Sequence, residues 1–202
     1  MIEDIIKREW EWFQKVRHID GRADCQDDHE TFYLQRKAQF EVYPQDLLES
    51  YLQDLKEAEA IGRNMIMEKY AYMMESTEPE YFHSIEDQLP PVDESKRKLI
   101  DMICEIEVGM REEVNQKYPS LVTLARNVHT SDDTVENISF ETYLRGELCT
   151  YSSHSLYLYG QMVVKALNQD ENIIENILER TAKAYGYSSL TQANERYKND
   201  KK

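Results

Sequence analysis

Residues 44–62 read PQDLLESYLQDLKEAEAIG and carry the clearest apolar stripe in the chain. Their apolar side chains recur every three or four positions, at Leu47, Leu48, Tyr51, Leu52, Leu55 and Ala58. This spacing places them on one face of an α-helix. Pro44 can open such a helix, and Gly62 can end it. The segment therefore predicts an amphipathic helix whose apolar face must be covered by other helices.

The segments on either side show the same helical spacing, without the alternation that is typical of strands. Before it, helices are predicted from Ile2 to about His18 and, after a polar loop that ends in the caps Asp27 and Asp28, up to Pro44. After it, helices are predicted for Met65 to about Glu75, for Thr77 to Ile85, and from a cap at Ser95 or Asp93 to Tyr118, with a short one near 121–125. Further helices are predicted from Ser139 to about Leu167, with a kink or division within residues 152–155, from Ile173 to Tyr185, and from about Leu190. The expected fold is all-α, a helical bundle of roughly eight or nine helices.

The double proline Pro90-Pro91 is the best candidate for a domain boundary, because neither residue can continue a helix. The segments on both sides of it depend on amphipathic faces, and neither half is clearly self-sufficient. We therefore expect residues 1–202 to form a single domain with an internal connection near 88–94.

The charge balance excludes two classes of partner. The chain has 24 Lys and Arg against 39 Asp and Glu, which gives a formal net charge of −15. Phosphate backbones and anionic membrane surfaces attract concentrated Lys and Arg, and an acidic surface repels both. We therefore expect neither nucleic acid nor a membrane as partner. The 41% of hydrophobic residues suffices for one core of ordinary size.

The cysteines indicate a reducing compartment. Cys25, Cys104 and Cys149 are odd in number and contain no Cys-x-x-Cys pair, which fits neither a disulfide framework nor a thiolate metal site. The first residues lack the apolar core of a secretory signal, and no run of about 18 apolar residues is long enough to span a bilayer. The expected location is the cytoplasm.

Four stretches carry a resemblance to a known family: ADCQDD at 23–28, followed by Phe32 and Arg36; SYLQDL at 50–55; EKYAYMMEST at 68–77; and ETYLRGEL at 141–148. Together they resemble a bacterial family that is common in anaerobic Firmicutes, the domain of unknown function numbered forty-one twenty-five. The resemblance covers nearly the whole chain. It implies a cytoplasmic bacterial protein, and it brings neither an activity nor catalytic residues.

Charged side chains occupy positions where the helical pattern calls for apolar ones. Glu9, Arg36 and Glu147 each lie four residues after one apolar or aromatic residue and four before another. Lys69 lies in the most apolar helix, residues 65–75. Opposite charges that are buried together are expected to pair, since an unpaired buried charge is costly. The sequence therefore predicts a charge-paired polar centre formed by the first, second and fourth helices and the helix at 141–151.

Three interpretations of this centre remain open. The first is a structural network of ion pairs that fixes how the helices pack. The second is a non-enzymatic binding or accessory module, in which the centre binds a small charged metabolite or fixes a partner surface. Cys25, Gln26 and Asp27 of the polar loop are then further candidate residues beside Glu9, Arg36, Lys69 and Glu147. The third is an enzyme that uses Glu9, Glu147 or Lys69 as acid or base, or Cys25 as nucleophile.

Cysteine and metal chemistry have weaker sequence support. A nucleophilic Cys25 would need His129 or His154 as base, and Asp24, Asp27 and Asp28 disfavour its thiolate. Glu80 and His83 match the Glu-x-x-His pattern of helical di-iron sites, but such sites need the pattern twice. The sequence contains one copy, so we expect no metal and no other cofactor.

Overall fold

The computed structural model describes residues 1–17, 21–135 and 137–200, apart from the side chains of Thr123 and Asp200. Over these ranges the chain forms ten α-helices and no strand. The helices are α1 (Ile2–Phe13), α2 (His29–Phe40), α3 (Gln45–Ala60), α4 (Met65–Thr77), α5 (Pro79–Ile85), α6 (Glu94–Lys117), α7 (Phe140–Thr150), α8 (Ser153–Asn168), α9 (Ile173–Ala184) and α10 (Leu190–Asp200). The all-α prediction is confirmed, with slightly more helices than the expected eight or nine.

The extra helix arises at Ser152, where the predicted helix from Ser139 to Leu167 is divided in two. Tyr151 and Ser152 adopt extended backbone angles, and the Ser152 hydroxyl accepts a hydrogen bond from the Ser155 amide at 3.1 Å. Because this hydroxyl caps a new helix start, α8 begins as a helix separate from α7. The short helix predicted near 121–125 is reduced to a single 3₁₀ turn, Val122–Leu124.

The first helix ends at Phe13, earlier than the predicted end near His18, a residue that lies outside the described ranges. The buried Gln26 side-chain amide donates hydrogen bonds to the carbonyls of Phe13 at 2.7 Å and Val16 at 3.0 Å. Helix C-termini leave such carbonyls without partners. The side chain of Gln26 satisfies them and thereby fixes the loop after α1.

The hydrophobic core continues across the double proline. Its buried residues extend along the chain from Ile5 to Ala193, and Leu89 and Val92 on either side of the prolines pack against it. The Tyr72 hydroxyl donates a hydrogen bond to the Pro90 carbonyl, which ties the connection to α4.

Helices α4 and α7 pack closely against each other at Gly146. A Cβ atom added at Gly146 would lie 2.6 Å from Cγ of Met73 and 2.9 Å from the Lys69 carbonyl oxygen. A side chain at this position therefore has no room unless the two helices separate. This contact also sets Lys69 beside the next residue of α7, Glu147.

We expect Gly146→Ala to lower the free energy of unfolding by about 1–3 kcal/mol, because overpacking outweighs the gain in helix propensity. The matched control is Gly109→Ala in α6, where an added Cβ meets nothing within 4 Å. That change should stabilise the protein by roughly 0.5–1 kcal/mol. Urea unfolding followed by circular dichroism measures both, and equal effects of the two changes would contradict the close α4–α7 contact.

None of the helices within the described ranges has both the length and the apolar character needed to cross a membrane.

Candidate functional site

Four buried charged side chains from four helices meet in the interior. They are Glu9 of α1, Arg36 of α2, Lys69 of α4 and Glu147 of α7, and each is less than one tenth exposed. We call these four residues the charge network. The structure thus brings together the four charged residues that the sequence singled out.

Arg36 holds the centre of the charge network. Its Nε donates to Glu9 Oε2 at 2.7 Å and its Nη2 donates to Glu9 Oε1 at 2.5 Å, a bidentate pair. The Nη1 atom lies 3.2 Å from Glu147 Oε1, and the guanidinium carbon lies 4.6 Å from the centre of the Phe40 ring. The Tyr51 hydroxyl donates to Glu9 Oε1 at 2.7 Å. One guanidinium therefore joins two carboxylates from different helices.

Glu147 also receives the second cation. Lys69 Nζ lies 3.2 Å from Glu147 Oε2 and donates to the Tyr143 hydroxyl at 2.7 Å. The Gln39 amide donates to Glu147 Oε1 at 3.2 Å. Two cations and two anions therefore balance, and their polar atoms are engaged with one another and with neighbouring amide and hydroxyl groups.

The pKa shifts of Glu147, Arg36 and Lys69 favour the charged form of each side chain. Burial acts to raise the pKa of Glu147, but Arg36 and Lys69 outweigh it and hold this pKa at about 2. Burial likewise acts against the charge of Arg36, whose pKa is nevertheless raised by Glu147 and Glu9. The pKa of Lys69 is raised in the same way, by Tyr143 and Glu147. A carboxylate with so low a pKa is a weak proton acceptor at neutral pH.

Another buried acid, Glu107 of α6, lies near the charge network and forms no ion pair among the described residues. Burial raises its pKa to about 7, against a hydrogen bond from Tyr159 that lowers it and the charge of Glu147 that adds to the rise. Its Oε1 atom has no hydrogen-bond partner among the described residues. Glu107 therefore changes its protonation near neutral pH.

The loop residues of the predicted site do not join the charge network. Gln26 is buried but engaged with the end of α1, where its Oε1 also accepts from the Ala23 amide at 3.0 Å. Asp27 is exposed and pairs with Arg22 at 2.9 Å. Cys25 is exposed. None of these contacts of Gln26 and Asp27 reaches Glu9, Arg36, Lys69 or Glu147.

The candidate bases and metal ligands are engaged elsewhere or exposed. His129 Nε2 lies 3.0 Å from Glu112, and His154 and Glu80 are exposed. His83, also exposed, pairs with Glu86 at 2.6 Å. Within the described ranges, no group of three or more His, Cys, Asp or Glu residues is arranged to hold a metal ion.

The sequence reasoning missed a cleft of about 570 Å³ between α6, α9 and α10, which we call the Arg111 cleft. Its wall is mainly aromatic and aliphatic, and its lining residues are Gln35, Arg111, Val114, Asn115, Tyr118, Leu121, Val122, Leu124, Ala125, Arg126, Phe140, Leu178, Thr181, Ala182, Tyr185, Tyr187, Leu190, Ala193 and Tyr197. Arg111 is 9% exposed, whereas Arg126 and Tyr185 lie at the exposed rim.

The sequence did contain a signal for Arg111. Arg111 lies three residues before the buried Val114 and four after Glu107, which in turn lies four after the buried Ile103. The rule that identified Glu9 and Arg36, a charge on an apolar helix face, applies to both residues of α6. The shape of the cleft, in contrast, depends on how α10 folds back over α9.

A second groove, of about 670 Å³, runs between α6 and α8. Its lining includes Met102, Tyr157 and Val164, each about half exposed. Neither this groove nor the Arg111 cleft is lined by a residue of the charge network.

Fold and site together define an all-α protein with an internally balanced charge network and a separate aromatic cleft that contains a buried arginine. The chain belongs to the family described as protein of unknown function (DUF4125), whose model matches residues 1–195. No curated protein and no solved structure matches the chain.

Proposed function

We propose that this protein is a non-catalytic binding module that takes a small molecule in the Arg111 cleft. The observation that carries the proposal is the cleft itself, a concave space of about 570 Å³ with a mostly apolar wall and few polar groups. Small-molecule sites in proteins have volumes of roughly 300–1,000 Å³ and this same kind of lining. The three cysteines are free, which supports a reducing, cytoplasmic setting.

The charge network has a different part in this proposal. Its side chains satisfy one another, so a ligand placed among them would have to break buried ion pairs. We therefore propose that the metabolite binds in the Arg111 cleft and that the charge network fixes how the helices pack. The cleft and the charge network are adjacent. The guanidinium carbon of Arg126, at the cleft rim, lies 4.8 Å from the ring centre of Tyr143, and the Tyr143 hydroxyl is the hydrogen-bond partner of Lys69.

The enzyme alternative receives less support from the geometry. Lys69 and Glu147 neutralise each other, and Glu147, with a pKa of about 2, is a weak base. His129, the proposed partner of Cys25, is paired with Glu112. Cys25 is exposed, and a thiol nucleophile needs a base held beside it to be activated.

A neutral fluorescent probe tests whether the cleft takes a ligand. Nile red, which is uncharged and brightens in apolar surroundings, should bind the full chain with a saturable rise in emission. Ala193→Phe on α10 should weaken this binding at least tenfold, because the ring occupies the space that Ala193 leaves. A fluorescence titration measures the dissociation constant.

The matched control is Ala184→Phe, the same change at an exposed alanine of α9 that does not line the cleft. This control should bind Nile red as the unchanged protein does. Absence of saturable binding, or binding that Ala193→Phe leaves intact, would contradict the proposal. The second result would move the site to another surface, such as the α6–α8 groove.

A further inference from the structure

Arg111 differs from Arg36, the other buried arginine among the described residues, in having no ion-pair partner there. Arg36 contacts two carboxylates, whereas none of the ion pairs among the described residues includes Arg111. The Nε atom of Arg111 is inaccessible to solvent and has no hydrogen-bond partner in the described ranges. Its guanidinium carbon lies 5.9 Å from the centre of the Phe140 ring.

Such a cation is costly as it stands. Burial lowers the pKa of Arg111, and no acid among the described residues opposes this effect, Glu107 one turn earlier on α6 included. A guanidinium removed from water is stabilised by a carboxylate that accepts two parallel hydrogen bonds. Arg36 with Glu9 shows that arrangement within this protein. Arg111 lacks an equivalent among the described side chains, and it lines an open cleft.

The charge of the cleft wall favours an anion. The chain has 39 acidic residues, yet none of the described residues that line the cleft is Asp or Glu. Its charged lining residues are Arg111 and Arg126. The rest of the wall is rich in tyrosine and aliphatic side chains, which favour an apolar or aromatic body. The cleft is therefore locally basic and apolar in a protein of net charge −15.

From these observations we propose that the ligand is a small monocarboxylate with an apolar or aromatic body, whose carboxylate pairs with Arg111. This proposal rests on the proposed function and specifies its ligand class. The body lies against the tyrosines of the wall, while Arg126 at the rim attracts the anion without desolvation.

Two probes that share a phenylbutyl group and differ in charge test the ligand class. 4-Phenylbutyrate is ionised at neutral pH, and 4-phenylbutan-1-ol carries a hydroxyl instead. Isothermal titration calorimetry should give a dissociation constant at least tenfold lower for the carboxylate with the unchanged chain. Arg111→Met should abolish this preference, because it keeps an apolar side chain of similar length and removes the charge. Arg126→Met, the control at the exposed rim, should retain most of it.

Arg111→Lys is a second variant that keeps the proposal testable if Arg111→Met does not fold. This variant keeps the charge and loses the two-pronged geometry, so it should reduce the preference without removing it. Urea unfolding checks that each variant is folded.

The outcomes separate the ligand class from the proposed function. Equal affinity for both probes, or an unchanged preference in Arg111→Met, would overturn the ligand class and leave the binding module in place. The same holds if neither probe binds while Nile red does. Failure of Nile red and of both probes would overturn the proposed function, and the ligand class with it.

Discussion

Replacing Arg36 by Met should lower the free energy of unfolding by about 3–5 kcal/mol at pH 7. The change leaves Glu9 and Glu147 charged, buried and close together, with Lys69 as the remaining cation of the charge network. Removing one partner of a buried ion pair is costly because the other charge stays away from water without compensation. Urea unfolding followed by circular dichroism provides the measurement.

The control for this variant is an arginine–glutamate pair at the surface. Arg97 and Glu75 lie 3.1 Å apart, and both side chains are more than 40% exposed. Arg97→Met should cost less than about 1 kcal/mol, because exposed ion pairs are screened by water and salt. An equally small effect of Arg36→Met, or a gain in stability, would contradict a network that holds the fold together.

Lowering the pH should reduce the difference in the free energy of unfolding between Arg36→Met and the unchanged protein. In the native chain the pKa of Glu147 is lowered from 4.5 to about 2, so its stabilising effect is complete above about pH 4.5 and is lost as the pH falls toward 2. Without Arg36 this pKa rises, and the carboxylate takes up a proton sooner. The two stability curves should therefore converge below about pH 4. Stability curves that stay parallel down to pH 2 would show that Arg36→Met destabilises the protein through lost packing and not through lost ion pairs.

Glu107→Gln should have the opposite effect and stabilise the protein above neutral pH. The pKa of Glu107 is raised from 4.5 to about 7 by burial, so the folded state retains a proton that the unfolded state releases between these values. Stability therefore falls as the pH rises from about 4.5 to 7, by up to roughly 3 kcal/mol. Glutamine cannot ionise and avoids this loss.

Stability measured from pH 4 to pH 8 tests this prediction. Glu107→Gln should match the unchanged protein near pH 4 and exceed it at pH 8. The control is Glu105→Gln, which removes an exposed carboxyl from the same helix and should change stability by less than about 0.5 kcal/mol. A difference that does not depend on pH would mean that Glu107 does not titrate in the folded protein.

The fold and the charge network were largely predictable from sequence because both follow from helical spacing. Leu47, Tyr51 and Leu55 mark one face of α3, and all three are buried. The same spacing placed Glu9 and Arg36 on apolar faces, where charges must pair. Their actual partners required the structure, because Glu9 and Arg36 are 27 residues apart and Arg36 and Glu147 are 111 apart.

Other features depend on contacts that spacing does not encode. Gln26 belongs to the loop that the sequence joined with the charge network, yet its amide holds the end of α1. The Arg111 cleft requires α10 to fold back beside α9, which places Leu190 and Ala193 in its wall. The net charge of −15 describes the whole chain and conceals a locally basic cleft.

Chemical-shift mapping tests the central claim most directly, that a small molecule binds in the Arg111 cleft while the charge network serves the packing. The full chain, labelled with ¹⁵N, is titrated with 4-phenylbutan-1-ol, a neutral probe for which millimolar binding suffices. The amide signals of Val114, Leu178 and Ala193 should shift and saturate together, while those of Glu9 and Glu147 stay in place. Saturable shifts centred on Glu9 and Glu147, or no saturable shift together with no saturable binding of Nile red, would contradict the account.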